Sequence, residues 1–336
     1  MTLLKELIYA FYANLININL YLLNKISKNK YVYCNIISFG DCFTFYIENY
    51  YKIIKNNNKV LVLSKLEKDI AEIFFSKRNI TSIFFLIPKF IPVYRISFLL
   101  QKKKYFKPDS SFKIDNSKIK ISNKHRRLLI KLLKEKINLI SPELKKIKNE
   151  KFILFFIKHY HKKKIIINGS DARQTYDLKK IYKTINFLIN NKNKIIILGH
   201  KFDKSIPLLK KKYFNNKYIR FFLNMSPNQS MLDQLYVHYY SLLSIGNDSG
   251  AFVMSKYLKK KIIFFDTMKN YSESYQKFRN IKMLYKKVNY RKNLQNFSLS
   301  HLDDTYNINK KTLLKETSFL EIKNELKKKR YKLSYL

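Results

Sequence analysis

Residues 241 to 250 read SLLSIGNDSG and run directly into AFVMSKYLKKKIIFFD, residues 251 to 266. Leu242 to Ile245 is a short apolar run of strand type, and Gly246 and Gly250 bracket a polar elbow. Ala251 to Leu258 has helical spacing, and Lys261 to Phe265 is a second strand. Strand, tight turn, helix and strand make a parallel α/β unit. At the carboxyl end of its first strand, the side chains of Asn247, Asp248 and Ser249 and the free amides of the helix start face the edge where anions and nucleotides bind. The same residues are also ordinary capping chemistry, with Asp248 or Ser249 closing a helix N-terminus. On the turn alone both readings stand.

Outward from the elbow, the second half of the chain repeats the scheme. Strands are expected at Phe152 to Lys158, Ile195 to Leu198, Ile219 to Leu223, Leu242 to Ile245 and Ile262 to Phe265, with helices at about Leu178 to Asn190, Met231 to Tyr239 and Ala251 to Leu258. A polar, tyrosine-rich region follows Asp266, then a last helix, Thr312 to Arg330. The first half reads strand (Tyr31 to Phe39), helix (Phe43 to Lys55), strand (Val60 to Ser64), helix (Lys68 to Lys77) and strand (Ser82 to Leu86), which is a doubly wound parallel sheet. Pro88 and Pro92 end that run, Lys102 to Asn123 reads as loop, and helix resumes at His125 to Ile137. Asn138 to Asn149, with Pro142, is the linker. A chain of 336 residues is long for one α/β domain and comfortable for two.

Glycine is scarce, so its placement is informative. The five are Gly40, Gly169, Gly199, Gly246 and Gly250. Each falls at or just past the C-terminal end of an expected strand, where a binding edge wants close backbone approach and where turns want glycine anyway.

The segment DQLYVHYYSLLSIGNDSGAFVMSKYLKKKIIFFD, residues 233 to 266, resembles the donor-binding segment of the ADP-heptose heptosyltransferases, in which a strand ends in a G-N-D-S-G elbow before a helix. It is more similar still to a numbered family of bacterial glycosyltransferases with a serine-glycine elbow near the C-terminus. The resemblance implies a GT-B fold: two Rossmann-like doubly wound α/β domains facing a cleft, with a C-terminal helix crossing back. On that reading residues 1-30 are an N-terminal amphipathic helix, 31-145 the acceptor-side domain, 146-310 the donor domain and 311-336 the crossing helix. The likeness is firm over residues 170 to 265 and looser at 36 to 64.

The implied activity is a metal-independent glycosyltransferase. It would move a sugar from a nucleotide-sugar donor to a hydroxyl of a glycan or lipid-linked acceptor, in surface polysaccharide or lipopolysaccharide synthesis. ISFGDCFTFYIENYY, from Ile37, places Asp41 at a sheet edge, where a carboxylate can take the acceptor hydroxyl proton or cap a helix. The heptosyltransferases carry a similar Gly-Asp with the aspartate as base, so the resemblance gives Asp41 that role, although the CFTFY that follows departs from their pattern. Arg173 can hold phosphate bidentately. KIIILGHKFD puts Gly199 and Lys201 beside the donor by resemblance, and the elbow adds Gly246, Asn247, Asp248, Ser249 and Gly250. Asp248 would repel a phosphate, so it holds the turn or accepts from a sugar or ribose hydroxyl. Neither a cofactor nor a metal is expected: His159 and His161 lack nearby acidic or thiol partners. No P-loop, G-x-S-x-G, H-E-x-x-H or G-x-G-x-x-G motif occurs.

The net charge is +45, which points to nucleic acid or anionic membrane. Lysine comes with abundant Asn, Ile, Tyr and Phe and little Ala or Gly, the signature of AT-rich coding, so part of the charge is compositional. A solvated surface, an anionic lipid surface and a phosphate-rich substrate are the readings left, with no specific nucleic acid expected. The rival functions are a basic nucleic-acid-binding protein, which needs basic and aromatic residues on one face, and an inactive GT-B relative that binds nucleotide only. Two cysteines, Cys34 and Cys42, are too few for a disulfide framework. They fit a cytoplasmic protein, free or peripheral on the inner membrane. Leu7 to Asn24 is uncharged and of marginal length for a span. Asn14, Asn17 and Asn24 are set against Phe11, Leu15 and Leu22, the pattern of an amphipathic helix that packs on the protein or lies in a membrane interface.

Overall fold

The computed structural model describes residues 2–26, 31–34, 39–82, 121–158, 175–200, 205–224, 230–267, 278–290, 293–296 and 314–328. The chain divides into two units, Met1–Lys120 and Ile121–Leu336.

In the first unit, α1 (Thr2–Ile26) precedes β1 (Tyr31–Tyr33), α2 (Phe39–Lys55), β2 (Lys59–Val62), α3 (Lys65–Phe74) and β3 (Ile80–Ser82). The strands form a parallel sheet in the order β1-β2-β3, with Tyr31 opposite Lys59 and Val60 opposite Ile80. This is the expected βαβαβ run, with shifted boundaries. Helix α2 begins at Phe39 rather than Phe43, so Gly40 and Asp41 lie in its first turn, where Thr44 Oγ1 donates to the Gly40 carbonyl (2.8 Å). Helix α3 starts three residues early because Ser64 caps it, its hydroxyl accepting from the Glu67 amide (3.1 Å). Cys42 to Ile47 of α2 are buried on all sides, and Ile70, Ala71, Ile73 and Phe74 of α3 form a buried stripe of helical period. Cys34 and Cys42 are buried thiols outside any disulfide, and burial raises Cys42 well above its ordinary range.

One carboxyl is enclosed in that core. Glu67 accepts from the Leu63 amide (2.7 Å) and the Tyr46 hydroxyl (3.1 Å). Burial outweighs these donors and pushes the group up to about 7 from 4.5. A carboxyl raised by folding binds its proton more tightly folded than unfolded. Its contribution is therefore complete below the unfolded value and is lost as pH rises through about 7. The difference is worth about 3 kcal/mol. Urea titrations at pH near 5 and near 8 should show that loss in the wild type and a flat profile in Glu67→Gln; an unchanged slope in the variant would assign it to another group.

The second unit opens with α4 (Asn123–Glu135) and continues through β4 (Phe152–Phe156), α5 (Leu178–Asn190), β5 (Lys194–His200), α6 (Ser205–Lys212), β6 (Ile219–Asn224), α7 (Met231–Tyr240) and β7 (Leu243–Gly246). A 3-10 turn at Gly250–Phe252 leads into α8 (Val253–Tyr257), then β8 (Lys261–Thr267) and β9 (Ile281–Tyr285). Six strands form one parallel sheet in the order β6-β5-β4-β7-β8-β9. Numbered from β4, that is 3-2-1-4-5-6, the doubly wound Rossmann order. Runs such as Phe152 to Phe155 and Ile262 to Phe265 are buried on both faces, as central parallel strands must be. On one face, Ile181, Ile185 and Leu188 of α5 join Ile153, Phe155, Ile195, Ile197, Ile245 and Ile263 in the core.

Two boundaries differ from the sequence reading. The units part at Lys120, upstream of the linker read at residues 138 to 149. Helix α4 belongs to the second unit: Leu128, Leu129, Leu132 and Leu133 are buried and the helix packs on α7. Ser141 is tied to the same helix, its amide and hydroxyl donating to Asp233 (2.9 and 2.8 Å). The last helix, read over Thr312 to Arg330 as an element crossing back, is α9 (Phe319–Leu326). Ser318 starts it with a reciprocal bond to Glu321. Ile322 and Leu326 are part of the second unit's core, and α9 packs on α5. The polar region after Asp266 also holds structure that the sequence reading lacked: β9, and a small antiparallel sheet of β10 (Lys287–Tyr290), β11 (Asn293–Asn296) and β12 (Leu314–Lys315).

Candidate functional site

The reversal of strand order falls between β4 and β7, and the carboxyl ends of these two strands are where a doubly wound sheet opens a crevice. The elbow occupies that point. Gly246 is the last residue of β7 and lies opposite Phe156, the last of β4. A Cβ on Gly246 would stand 1.9 Å from the Phe156 carbonyl oxygen, so the glycine is demanded by the neighbouring strand. Gly199 sits near the end of β5 at the same edge, and there a Cβ would meet the tip of Ile206 at 2.6 Å.

Asn247 is fully buried and clamps three segments. Its amide donates to the Phe156 carbonyl (3.2 Å), its Oδ1 accepts from the Lys158 amide (2.7 Å), and its Nδ2 donates to Thr175 Oγ1 (3.0 Å). Asp248 pairs with Lys256 Nζ at 3.0 Å, both side chains nearly enclosed, and the ammonium lies 5.0 Å over the Phe264 ring. Asp248 is thereby tied to the helix that follows the elbow. Ser249 caps the 3-10 turn, its hydroxyl accepting from the Ala251 amide (3.2 Å). Ser249 and Gly250 are half-buried, and their own amides have no partner among the described residues.

Behind the elbow lies a polar network absent from the sequence reading. Thr175 donates to Asp266 Oδ2 (2.6 Å), which also takes Lys180 Nζ (2.6 Å). Lys180 reaches Glu316 (2.8 Å), whose oxygens accept from the Tyr176 and Asp177 amides (2.6 and 3.1 Å). Lys286, fully buried, stands 3.8 Å from Glu316, and burial holds its ammonium below the ordinary lysine range. Two ammonium and two carboxylate groups balance, which is what makes their enclosure tolerable. Asp266 adopts φ 53°, a left-handed backbone that costs a non-glycine residue about 1–2 kcal/mol. A bulge between Phe264 and Thr267 places one extra residue on β8, and Thr317 then bonds both the amide and the carboxylate of Asp266 (3.1 and 2.8 Å). The partners lie 30 to 140 residues apart in the chain, so no local spacing could have revealed them.

His238 and Ser255 are in contact at 2.6 Å beneath the elbow, with Ser244 next in line at 2.7 Å. Burial drives this imidazole down to about 3, so it is neutral, and the trio is fully enclosed. It is core chemistry.

Of the other residues singled out from sequence, Asp41 is half-buried in the first turn of α2, in the first unit. Gly169, Arg173, Lys201, His159 and His161 lie outside the described residues. Among the described residues no group of three His, Cys, Asp or Glu side chains is set to hold a metal ion.

A parallel sheet in 3-2-1-4-5-6 order with its elbow at the point of reversal defines an α/β unit of the Rossmann type, and the first unit carries a smaller three-stranded parallel sheet in the order β1-β2-β3. Solved structures similar to the chain are of this two-domain kind. One is E. coli heptosyltransferase WaaC with ADP, at 9% identity and a TM-score of 0.44, covering 91% of this chain and 100% of that one. Another is the glycosyl transferase family 9 structure from Veillonella parvula, at 10% identity and 0.43, covering 77% and 86%. A third is UDP-GlcNAc 2-epimerase from Methanocaldococcus jannaschii in complex with UDP-GlcNAc and UDP, at 14% and 0.33, covering 74% and 71%. No family model and no curated protein sequence matches the chain.

Proposed function

We propose that the chain is a GT-B-type glycosyltransferase that needs no metal. It transfers a sugar from a nucleotide-sugar donor to a hydroxyl of a glycan or lipid-linked acceptor, in surface polysaccharide or lipopolysaccharide synthesis on the cytoplasmic side of the inner membrane. The observation that carries the reading is the elbow at the strand-order reversal, with the Ser249 and Gly250 amides unclaimed among the described residues. Amides so placed suit a diphosphate, which lies close to backbone and needs donors more than side chains. Arg173 and Lys201 supply cationic donors in this reading, and Gly199 leaves the adjoining strand end slim. Asn247 and Asp248 act indirectly, by holding the elbow's shape. Asp41 takes the proton of the acceptor hydroxyl as its oxygen attacks the anomeric carbon. The bond from that carbon to the diphosphate breaks, and the nucleoside diphosphate leaves with the electron pair.

The enclosed aromatics support this reading over a nucleic-acid binder: Phe43, Tyr46, Phe152, Phe155, Tyr236, Phe252, Tyr257 and Phe264 are core residues and offer no stacking surface. The test is a thermal-shift screen over nucleoside diphosphate sugars. A matching donor at 100 times its Kd stabilises the fold by about 2.7 kcal/mol. A screen in which no nucleotide or nucleotide sugar raises the melting temperature overturns the reading.

A further inference from the structure

Helix α1 carries an apolar face that nothing described covers. Leu7, Phe11, Leu15, Ile18 and Leu22 are 59%, 63%, 41%, 56% and 46% exposed. Their spacing of four, four, three and four places them within a stripe about 80° wide at 3.6 residues per turn. Ala13 and Ile16, on the opposite side, are fully buried. Phe11, Leu15 and Leu22, read from sequence as the apolar face that packs on the protein or lies in a membrane interface, are thus turned outward. The stripe runs about 22 Å along the helix, and no described helix is long and apolar enough to cross a membrane.

We infer that α1 is an in-plane anchor whose apolar stripe sits in the interface of an anionic lipid membrane. Two observations select that occupant. The stripe lies on the ridge of a helix, the shape that fits between headgroups. The chain carries +45, with Lys25, Lys28 and Lys30 immediately after the stripe. A second copy of the same chain would bring the same charge to the contact, whereas anionic headgroups neutralise it. An apolar face and a basic cluster together are the two signals that stable interfacial binding takes. The inference does not depend on the sugar-transfer reaction.

The chain contains no tryptophan, so Phe11→Trp gives a single reporter on the stripe. With vesicles of phosphatidylcholine containing about 30 mol % phosphatidylglycerol, its emission should shift to the blue, and pure phosphatidylcholine should bind about 10-fold more weakly or worse. Replacing all five stripe residues by Gln, a good helix former at exposed positions, should lower co-sedimentation with the anionic vesicles by about 100-fold. Far-UV circular dichroism checks that this variant folds. Absence of a blue shift with anionic vesicles overturns the inference. So does undiminished binding of the five-Gln variant, which would make charge alone the cause. A blue shift that grows with protein concentration and needs no lipid overturns it in favour of a second copy.

Discussion

Gly246→Ala is expected to cost 4–5 kcal/mol or more, enough to unfold the second unit of a protein of ordinary stability. The added carbon would lie 1.9 Å from the Phe156 carbonyl oxygen and 2.9 Å from its carbon, and both obstacles are backbone. Relief requires β7 to move away from β4. That would break the parallel ladder from Ile153 and Leu243 to Phe156 and Gly246, and with it the Asn247 clamp on Lys158 and Thr175. Gly199→Ala is the control. There the added carbon meets side chains alone, Ile206 at 2.6 and 3.1 Å and Leu223 at 3.5 Å, which can shift, so a cost of about 1–3 kcal/mol is expected. Urea denaturation of the two variants measures the difference. A Gly246→Ala protein as stable as wild type would show that the strands do not approach as closely as described.

Asp41→Asn is expected to slow sugar transfer by about 10²- to 10⁴-fold while leaving nucleotide-sugar affinity nearly intact. Asparagine keeps the shape of the side chain and its value at a helix start, but it cannot take a proton. The substitution therefore spares a structural role and removes a catalytic one. Gly250→Val should do the reverse, crowding the elbow so that donor affinity falls first. Steady-state kinetics of both variants against a donor found by thermal shift separate the two effects. Full turnover by Asp41→Asn would make the aspartate a first-turn residue of α2 and nothing more. Equal loss of donor binding in both variants would make Asp41 structural.

What was legible in the sequence is what is local. Apolar runs such as FILFF and IIFF read as buried parallel strands because every side chain in them is apolar, and alternating helices follow from the 3.6 period of Ile181, Ile185 and Leu188. The elbow was legible too, since two glycines four positions apart in so glycine-poor a chain mark a backbone demand. The reason for that demand was not. Gly246 reads equally well as room for a ligand, and only the position of β4 beside β7 reveals the Phe156 carbonyl in the way.

Burial side and long-range pairing were decided in three dimensions. Whether Phe11, Leu15 and Leu22 or Ala13 and Ile16 face the protein cannot follow from period, because both sets are apolar and share one helix. Likewise Lys180, Asp266 and Glu316 are single charges in a chain rich in them, and they become a network only when α5, the end of β8 and the residues before α9 meet. By itself the sequence determined two parallel α/β halves and a polar elbow ending a strand. The tertiary structure decided the strand order that puts the elbow at the reversal, the unit to which α4 and α9 belong, and the buried charges behind the elbow. Strand and helix periods are carried by neighbours a few residues apart, whereas strand order and charge pairing depend on which distant surfaces exclude water together.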